Sequence, residues 1–548
     1  MIKIITAWGD ITPPSFGRIA KILRSSQNLP EPICAPTLAE IETVVEDRRS
    51  FVLKSLNRES LAHELAEDQE SRGAPANTVA ATQALAHPDT YLVVTGQQPG
   101  LLLGPLYTLA KCLQTVNLAR LLTQQGFGTV LPAFWNASED HDHSEVDHAV
   151  WLDSGRQPVR YEADLHGLPE NLTVSGIPKE RARLQYIIAQ LRQSLDGQPH
   201  VDFVLDWISQ SYSKARFSLA DWFDQLLWAL LPESGLLILR PESRYLRVQA
   251  QSILRREIQD PSLSSIEVNQ AGEYLKELGL SQQIHKSESR SSFFLVDQDR
   301  RILLTFKNGR FVLPDGRARE PEDLLRQLEE RPETFSSSAI LRPVIQDACL
   351  PTVASILGPN EVLYHLQLNE LYSRHGIPRP ALVPRVGATF LESKDLKTMM
   401  KMGFLPSDFE RETKSLVRDV IRRRGAGDSA QLRDELKNQV ESTYKKFADL
   451  GGAIDPTVVP AIQKQGRQLL KTIDQTEALL VRRQADREEL LHRQIDAVSR
   501  GLFPLGQPQE RVLGVVHFLA RHGPDLPDRL GSAFDQLEPG RQGLFALS

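Results

Sequence analysis

The amino-acid sequence predicts an α/β protein: a parallel sheet interrupted by insertions, followed by an α-helical antiparallel coiled coil. Three observations point there. Between Tyr91 and Trp135 a strand, a loop, a helix and a second strand follow one another, the order of a βαβ unit whose right-handed crossover makes its strands parallel. A Gly-Pro helix entry at Gly104-Pro105 recurs at Gly358-Pro359, between further apolar runs at Ala339–Val344 and Ala381–Val386. Beyond Ser393 the chain becomes charge-rich, with apolar residues at coiled-coil spacing.

From about Thr37 to Glu70, Ile41, Val44, Val45, Phe51, Val52, Leu56 and Leu61 recur as one buried helix face. Tyr91-Leu92-Val93-Val94 is a short β-branched run stopped by Thr95-Gly96-Gln97-Gln98-Pro99-Gly100, which reads as strand and then loop. Pro105 suits a first helical turn, where its missing N–H forfeits no bond; Leu106, Leu109, Leu113, Val116 and Leu121 carry that helix to Gly126. The second strand, Thr129 to Trp135, ends in Asn136-Ala137-Ser138-Glu139-Asp140-His141-Asp142-His143. Between 150 and 330 the pattern predicts insertions: helices near 180–195 and 203–231, a strand at Leu236–Leu239 and a hairpin around Asp297-Gln298-Asp299. The sheet is then expected to resume at Ala339–Val344 and Ala381–Val386. Long helices over 428–449 and 456–499 flank a turn at Gly451–Pro456, with Val458, Ile462, Leu469, Ile473, Leu480, Leu491, Ile495 and Val498 as the apolar stripe. Residues 501–548, with an apolar helix from Val512 to Ala520, are expected to close back on a neighbouring domain.

Composition narrows the function classes. A chain of 548 residues exceeds what one core normally organises, and 41% hydrophobic with 24% charged residues is ordinary globular material. Its 64 basic against 70 acidic side chains give no general attraction for a polyanion, so no nucleic-acid partner is expected. Cys34, Cys112 and Cys349 are odd in number and far apart, which suits neither a disulfide framework nor a zinc ribbon and implies a reducing compartment. Asp10 and Pro13-Pro14 interrupt the apolar start before a signal-peptide core can form, and no run of about 18 uncharged apolar residues exists, so neither a leader nor a membrane span is expected.

In open parallel sheets, ligands bind beyond the carboxyl ends of the strands, and the two polar clusters of the βαβ unit fall there. The glycines at 96, 100 and 104 precede a helix N-terminus able to hold a phosphate or carboxylate, yet match neither a P-loop nor G-x-G-x-x-G; the alternative is a turn without a ligand. Glu139-Asp140-His141-Asp142-His143, with Glu145, Asp147 and His148, is the densest set of acid, base and ligand groups. A metal site on His141, His143, Asp147 and His148 is disfavoured because two residues too many separate His143 from the Asp-His pair, and no metal is expected. Recognition of an amine and proton transfer suit the same residues. A third cluster runs from Arg342 through Gln346, Asp347 and Cys349 to Gly358, Glu361, Tyr364 and Gln367. Cys349, between Ala348 and Leu350, reads as a buried structural thiol.

The strings VVTGQQPGLLLGPLYTLAKCLQTVNLA, LPAFWNASEDHDHSEVDHA, ILRPVIQDACLPTVASILGPNEVLYHLQL with its following PALVPR, and LFPLGQPQERVL resemble the BshC family, the cysteine ligases of bacillithiol synthesis. The resemblance implies a Rossmann-like core related to class I aminoacyl-tRNA synthetases, connecting-peptide insertions and a coiled-coil domain, with Gly104–Tyr107 in the place of the synthetase HIGH signature. On that basis 1–150 would hold N-terminal helices and the first half of the core, 151–335 the insertions, 336–392 the second half, 393–500 the coiled coil, and 501–548 a segment returning to the core. The implied activity is addition of L-cysteine to the amine of glucosaminyl-malate in the last step of bacillithiol synthesis, with ATP or another nucleotide activating the carboxyl; the apolar stripe is expected to join two copies through the coiled coil, and the cysteines suit a cytoplasmic location. Asp140, His141 and Asp142 would carry the catalysis. Gln97, Gln98, Gly104, Pro105, Tyr107, Asn136, Glu139, Gln346, Asp347, Gly358, Glu361, Tyr364 and Gln367 would bind substrate or nucleotide. The alternatives are a nucleotide-dependent ligase or nucleotidyltransferase acting on another amine, and a non-catalytic nucleotide-binding scaffold.

Overall fold

A computed structural model describes residues 2–4, 37–424, 429–486 and 488–547; Cys34 and most of the N-terminal segment lie outside the described residues. The chain divides into two compact units, one of residues 1–389 and 510–545, the other of 390–509 and 546–548.

The first unit opens with α1 (Leu38–Ser55) and α2 (Arg58–Ser71), capped at their N-termini by the side chains of Thr37 and Asn57. There follow β1 (Thr90–Gln97), α3 (Leu106–Gln124) and β2 (Thr129–Asn136), then a hairpin of β3 (His148–Leu152) and β4 (Pro158–Glu162). Next come α4 (Val201–Lys214), α5 (Leu219–Leu230), β5 (Leu237–Leu239), α6 (Arg244–Gln249) and α7 (Leu263–Glu277). An antiparallel sheet is built from β6 (Arg290–Asp297), β7 (Arg300–Lys307), β8 (Arg310–Val312), β9 (Ala318–Arg319) and β10 (Phe335–Ser337). The core resumes with α8 (Arg342–Cys349), β11 (Thr352–Leu357), α9 (Pro359–Leu366) and β12 (Ala381–Pro384).

The core sheet is parallel throughout, in the order β12-β11-β1-β2-β5. Numbered by their succession in the chain, its strands stand in the order 3-2-1-4-5, so the direction of winding reverses between β1 and β11, where a doubly wound sheet opens its ligand crevice. Both faces are covered. Leu92 and Val94 of β1 point to one face with Ala133, Trp135, Leu237 and the α2 residues Leu61 and Leu65; Tyr91 and Val93 point to the other with Ile41, Val45, Val52, Leu118 and Leu122. Each such side chain taken fully out of water contributes about 1.5–3 kcal/mol, which fixes the register of the strands and therefore which residues stand at their ends.

Several expectations need correction. The expected strand at Ala339–Val344 is a turn leading into α8, and the strand is Thr352–Leu357, ten or so residues later. Pro343 sits in the first turn of α8, where Val344 joins the helix's buried face, while Ile340 and Leu341 are buried in the turn before it. The expected helix over 203–231 is two helices, because Ser218 starts α5 with a capping box to Asp221. The hairpin around Gln298-Asp299 forms as expected, both residues taking positive φ (48° and 59°) to close the β6–β7 turn.

In the second unit α10 (Ser429–Ile454) and α11 (Val459–Ala485) form a helical hairpin, followed by α12 (Glu489–Leu502). Gly451 and Gly452 stay inside α10, and the turn begins at Asp455, whose carboxylate accepts from Thr457 N. The helices approach closely where Gly466 faces Tyr444, since a Cβ there would stand 3.0 Å from the ring. Lys437 Nζ bonds Asp474 across the pair at 3.1 Å. The expected stripe is only partly buried: Leu491, Ile495 and Val498 are covered, whereas Leu469 and Leu480 are exposed and Val481 is buried in place of Leu480. Among the described residues no helix is long and apolar enough to cross a membrane.

Candidate active site

The parallel register sets Gly96 beside Trp135 and Gln97 beside Asn136, so the loops leaving β1 and β2 emerge at the same edge of the sheet. They meet there. Gln98 Nε2 donates to Asp140 Oδ2 at 2.9 Å, while Asp140 Oδ1 accepts from His141 N at 2.8 Å. A cavity of about 530 Å³ opens over this junction. Its floor and one side come from Gly96, Gln97, Gln98, Glu139, Asp140 and His141, and its far side from Glu361 and Tyr364 of α9, across the point where the winding reverses.

Glu139 is buried and held by three donors from the insertion: Arg247 Nη2 and Ser336 Oγ, each at 2.8 Å, and Ser337 Oγ at 3.4 Å. This fixes the backbone from which Asp140 and His141 project. Arg301 of β7 reaches into the same corner. Its Nη1 stands 3.5 Å from Asp140 Oδ1 and 3.4 Å from His141 Nδ1, its Nη2 bonds Ser337 O, and its guanidinium lies 3.9 Å from the Phe294 ring centre. Burial first, and then the Arg301 charge, push the His141 pKa below its ordinary value against the opposing pull of Asp140, so His141 is a neutral imidazole at neutral pH.

Under the Gln97 turn lies Lys111 of α3, only 2% exposed. Its three N–H groups go to Gly96 O and Gln97 Oε1, both at 3.0 Å, and to Glu361 Oε1 at 2.6 Å. Burial would raise the Glu361 pKa, but the Lys111 charge and hydrogen bond, helped by Gly358 N–H, hold it below the usual carboxylate range. Tyr364 bonds Ala339 O through its hydroxyl, and burial pushes its phenol up to about 12, so it remains a donor. The lining also carries a basic group, Lys286, Arg290 and Arg342 with His285 beside Arg301, among serines and apolar side chains.

The family model for the N-terminal Rossmann-like domain of the bacillithiol-biosynthesis protein BshC matches residues 35–386, and that for its C-terminal coiled-coil domain matches 388–544. The chain belongs to the BshC family. Relatives named "Putative cysteine ligase BshC" include those of Salinibacter ruber, 30% identical over 87% of each chain, Solibacter usitatus, 32% identical over 84% of each, and Bacillus cereus, 27% identical over 95% of this chain and 96% of the relative. Membership makes the chain a ligase, and the Rossmann-like and coiled-coil parts implied by the four sequence blocks are both present.

Of the site residues expected for a BshC ligase, the structure brings Gln97, Gln98, Glu139, Asp140, His141, Glu361 and Tyr364 to the cavity. Others are placed elsewhere. Asp142 is exposed and accepts from Ser144 N and Oγ, which makes it the cap of a short turn. Asn136 donates to buried Asp224 at 2.7 Å beneath the sheet edge. Gln346 and Asp347 are buried in α8, where Asp347 Oδ2 accepts from Tyr372 Oη at 2.6 Å and Oδ1 from Gln346 Nε2 at 3.0 Å. Gln367 accepts from the backbone of Gln283 and Ile284, behind the basic wall. Gly358 acts through its N–H on Glu361. Gly104 and Pro105 do not present a free helix end to the cavity, because Leu106 N donates to Leu513 O and Val515 N to Gly104 O. Tyr107 packs between Lys111 and Arg385, each 5.7 Å from its ring centre. Sequence reasoning missed Lys111 and, apart from Arg342 at the start of the third cluster, the basic wall. The signal for Lys111 was its place on an otherwise apolar helix face, four residues after Tyr107.

Proposed function

We propose that the chain joins L-cysteine to the amine of glucosaminyl-malate, completing bacillithiol. The single observation that supports this best is the Gln98–Asp140 hydrogen bond, which draws the two strand-end loops into one cavity bearing both a carboxylate and a neutral imidazole. Amide formation needs an uncharged amine as nucleophile. Asp140 would hold the substrate ammonium and His141 would take its proton, which its lowered pKa permits at neutral pH. Glu139, bonded by Arg247, Ser336 and Ser337, would keep both residues aimed.

A carboxylate does not condense with an amine in water unaided, so a nucleoside triphosphate would supply the activation. Arg290, Arg301 and Arg342 are the residues that would hold its phosphates, and the donor set fits: Arg301 Nε is buried without a hydrogen-bond partner among the described residues. Incubating the protein with cysteine, glucosaminyl-malate and ATP should yield bacillithiol, read by mass spectrometry together with the nucleotide product; absence of any cysteinyl adduct with every nucleotide tried would refute the reading. A cytoplasmic location agrees with Cys112 and Cys349 as free buried thiols.

We further propose a homodimer through the helical hairpin, which leaves Leu432, Leu436, Phe447, Leu450 and Leu480 exposed along its length. Light scattering should give twice the chain mass, and a monomer at micromolar concentration would rule the dimer out.

A further inference from the structure

The loop ahead of β6 carries Lys286 to the cavity wall. We propose that Lys286 is an anion-binding residue of this site, its ammonium taking an oxygen of a carboxylate or phosphate of the substrates. Its backbone is clamped from α7, with Lys286 N donating to Asn269 Oδ1 at 3.0 Å and Asn269 Nδ2 donating to Lys286 O at 2.7 Å. Two residues earlier, Gln367 Oε1 accepts from Ile284 N at 2.9 Å. The side chain is held as well: Nζ donates to Arg290 O and Ser292 Oγ, both at 2.9 Å. An ammonium has three donors, so one is left for a ligand. Among the described residues no carboxylate lies within ion-pair distance of it. A half-buried cation held at four points, on which the Glu257 charge acts only from beyond ion-pair distance, is costly as structure and suited to receive an anion.

Its titration supports the geometry. Burial pulls the Lys286 pKa down to about 8; Glu257 of the neighbouring helix Gln251–Gln259 opposes this and Arg290 adds to it. The cavity it lines also holds His285, Asp140, Glu361, His141 and the guanidinium groups of Arg301 and Arg342. His141 is held below its ordinary value and Tyr364 is pushed up to about 12, so neither changes charge near pH 8. Lys286 is therefore cationic at neutral pH and loses its proton, and with it the anion, as pH rises through about 8.

The choice of probes rests on the ligase reading; the role of Lys286 does not. Calorimetry with the full chain would titrate ATP and L-malate separately into wild type, Lys286→Met and Lys286→Arg. At about pH 7 the methionine variant should bind one of the two at least about tenfold more weakly, the loss expected of one charge-assisted hydrogen bond, while the arginine variant stays within about threefold of wild type. Weakened ATP binding assigns the anion as phosphate, and weakened malate binding assigns it as carboxylate. Between about pH 7 and pH 9 wild type should lose about tenfold in affinity for that probe and Lys286→Arg should not. Equal binding of both probes by wild type and Lys286→Met, with unchanged melting temperature, overturns the proposal, as does wild type that binds neither. Wild type that binds as expected but forms no cysteinyl product refutes the ligase reading and leaves Lys286 standing.

Discussion

Asp140→Asn is expected to lower ligation by about 10²–10⁴-fold, the range of a positioned acid–base group, while moving the melting temperature little. The substitution preserves size and removes the charge that would hold the substrate ammonium. Asp140 accepts on both oxygens, from Gln98 Nε2 and from His141 N. An asparagine keeps one acceptor and must turn its amide toward the other donor, so one hydrogen bond of about 1 kcal/mol is lost. The site is partly open to solvent, which keeps that loss from spreading into the core. A second signature follows from the electrostatics. Asp140 is the larger of the charges that oppose burial and Arg301 at His141, so its removal lowers the His141 pKa further, and the acid limb of residual kcat/KM moves to lower pH. Product assays across pH, with thermal melts of the same preparations, test both; undiminished turnover would take the acidic loop out of the mechanism.

The half of the site that could be read from the sequence is the half made by local order. β1, its loop, α3 and β2 are contiguous, their hydrophobic period switches cleanly, and a parallel crossover places both strand ends together whatever follows. Gln97, Gln98, Asp140 and His141 follow from that alone. The strand expected at Ala339–Val344 failed for an equally local reason: Ile340, Leu341 and Val344 form an apolar run too short to reveal its period, and Pro343 fits a first helical turn. Most of the basic wall was illegible because Arg301, and Lys286 in the loop before it, reach the cavity from an antiparallel sheet whose pairing with Phe335–Ser337 spans some forty residues. Asn136, Asp347 and Gln367 share a different error. Polar residues beside apolar strands were taken for ligand groups, whereas each is bonded within its own chain, Asn136 Nδ2 to Asp224 and Asp347 to Tyr372.

Lys111→Met should destabilise the first unit by about 2–3 kcal/mol, somewhat below the cost of breaking a wholly buried pair because Glu361 keeps 35% of its side-chain surface exposed. Methionine fills the lysine's space, so packing survives and the loss is electrostatic. Three acceptors, Gly96 O, Gln97 Oε1 and Glu361 Oε1, lose their shared donor at once. The pH dependence identifies the cause. In wild type the folded pKa of Glu361 lies below its ordinary value, so its contribution is present above about pH 4.3 and is lost as pH falls through the folded pKa. Without Lys111 burial acts unopposed by that charge, the Glu361 pKa rises, and the carboxyl gains a proton closer to neutrality. The stability gap between variant and wild type should therefore be wider at about pH 8 than at about pH 5, in denaturation followed at both. Adding Glu361→Gln to Lys111→Met should recover part of the loss, since the stranded charge is gone; a double variant no more stable than Lys111→Met would show that the ion pair is not the source. Activity should fall in the single variant beyond what stability explains, because the ammonium that neutralises Glu361 also ties down the Gln97 turn against which Gln98 holds Asp140.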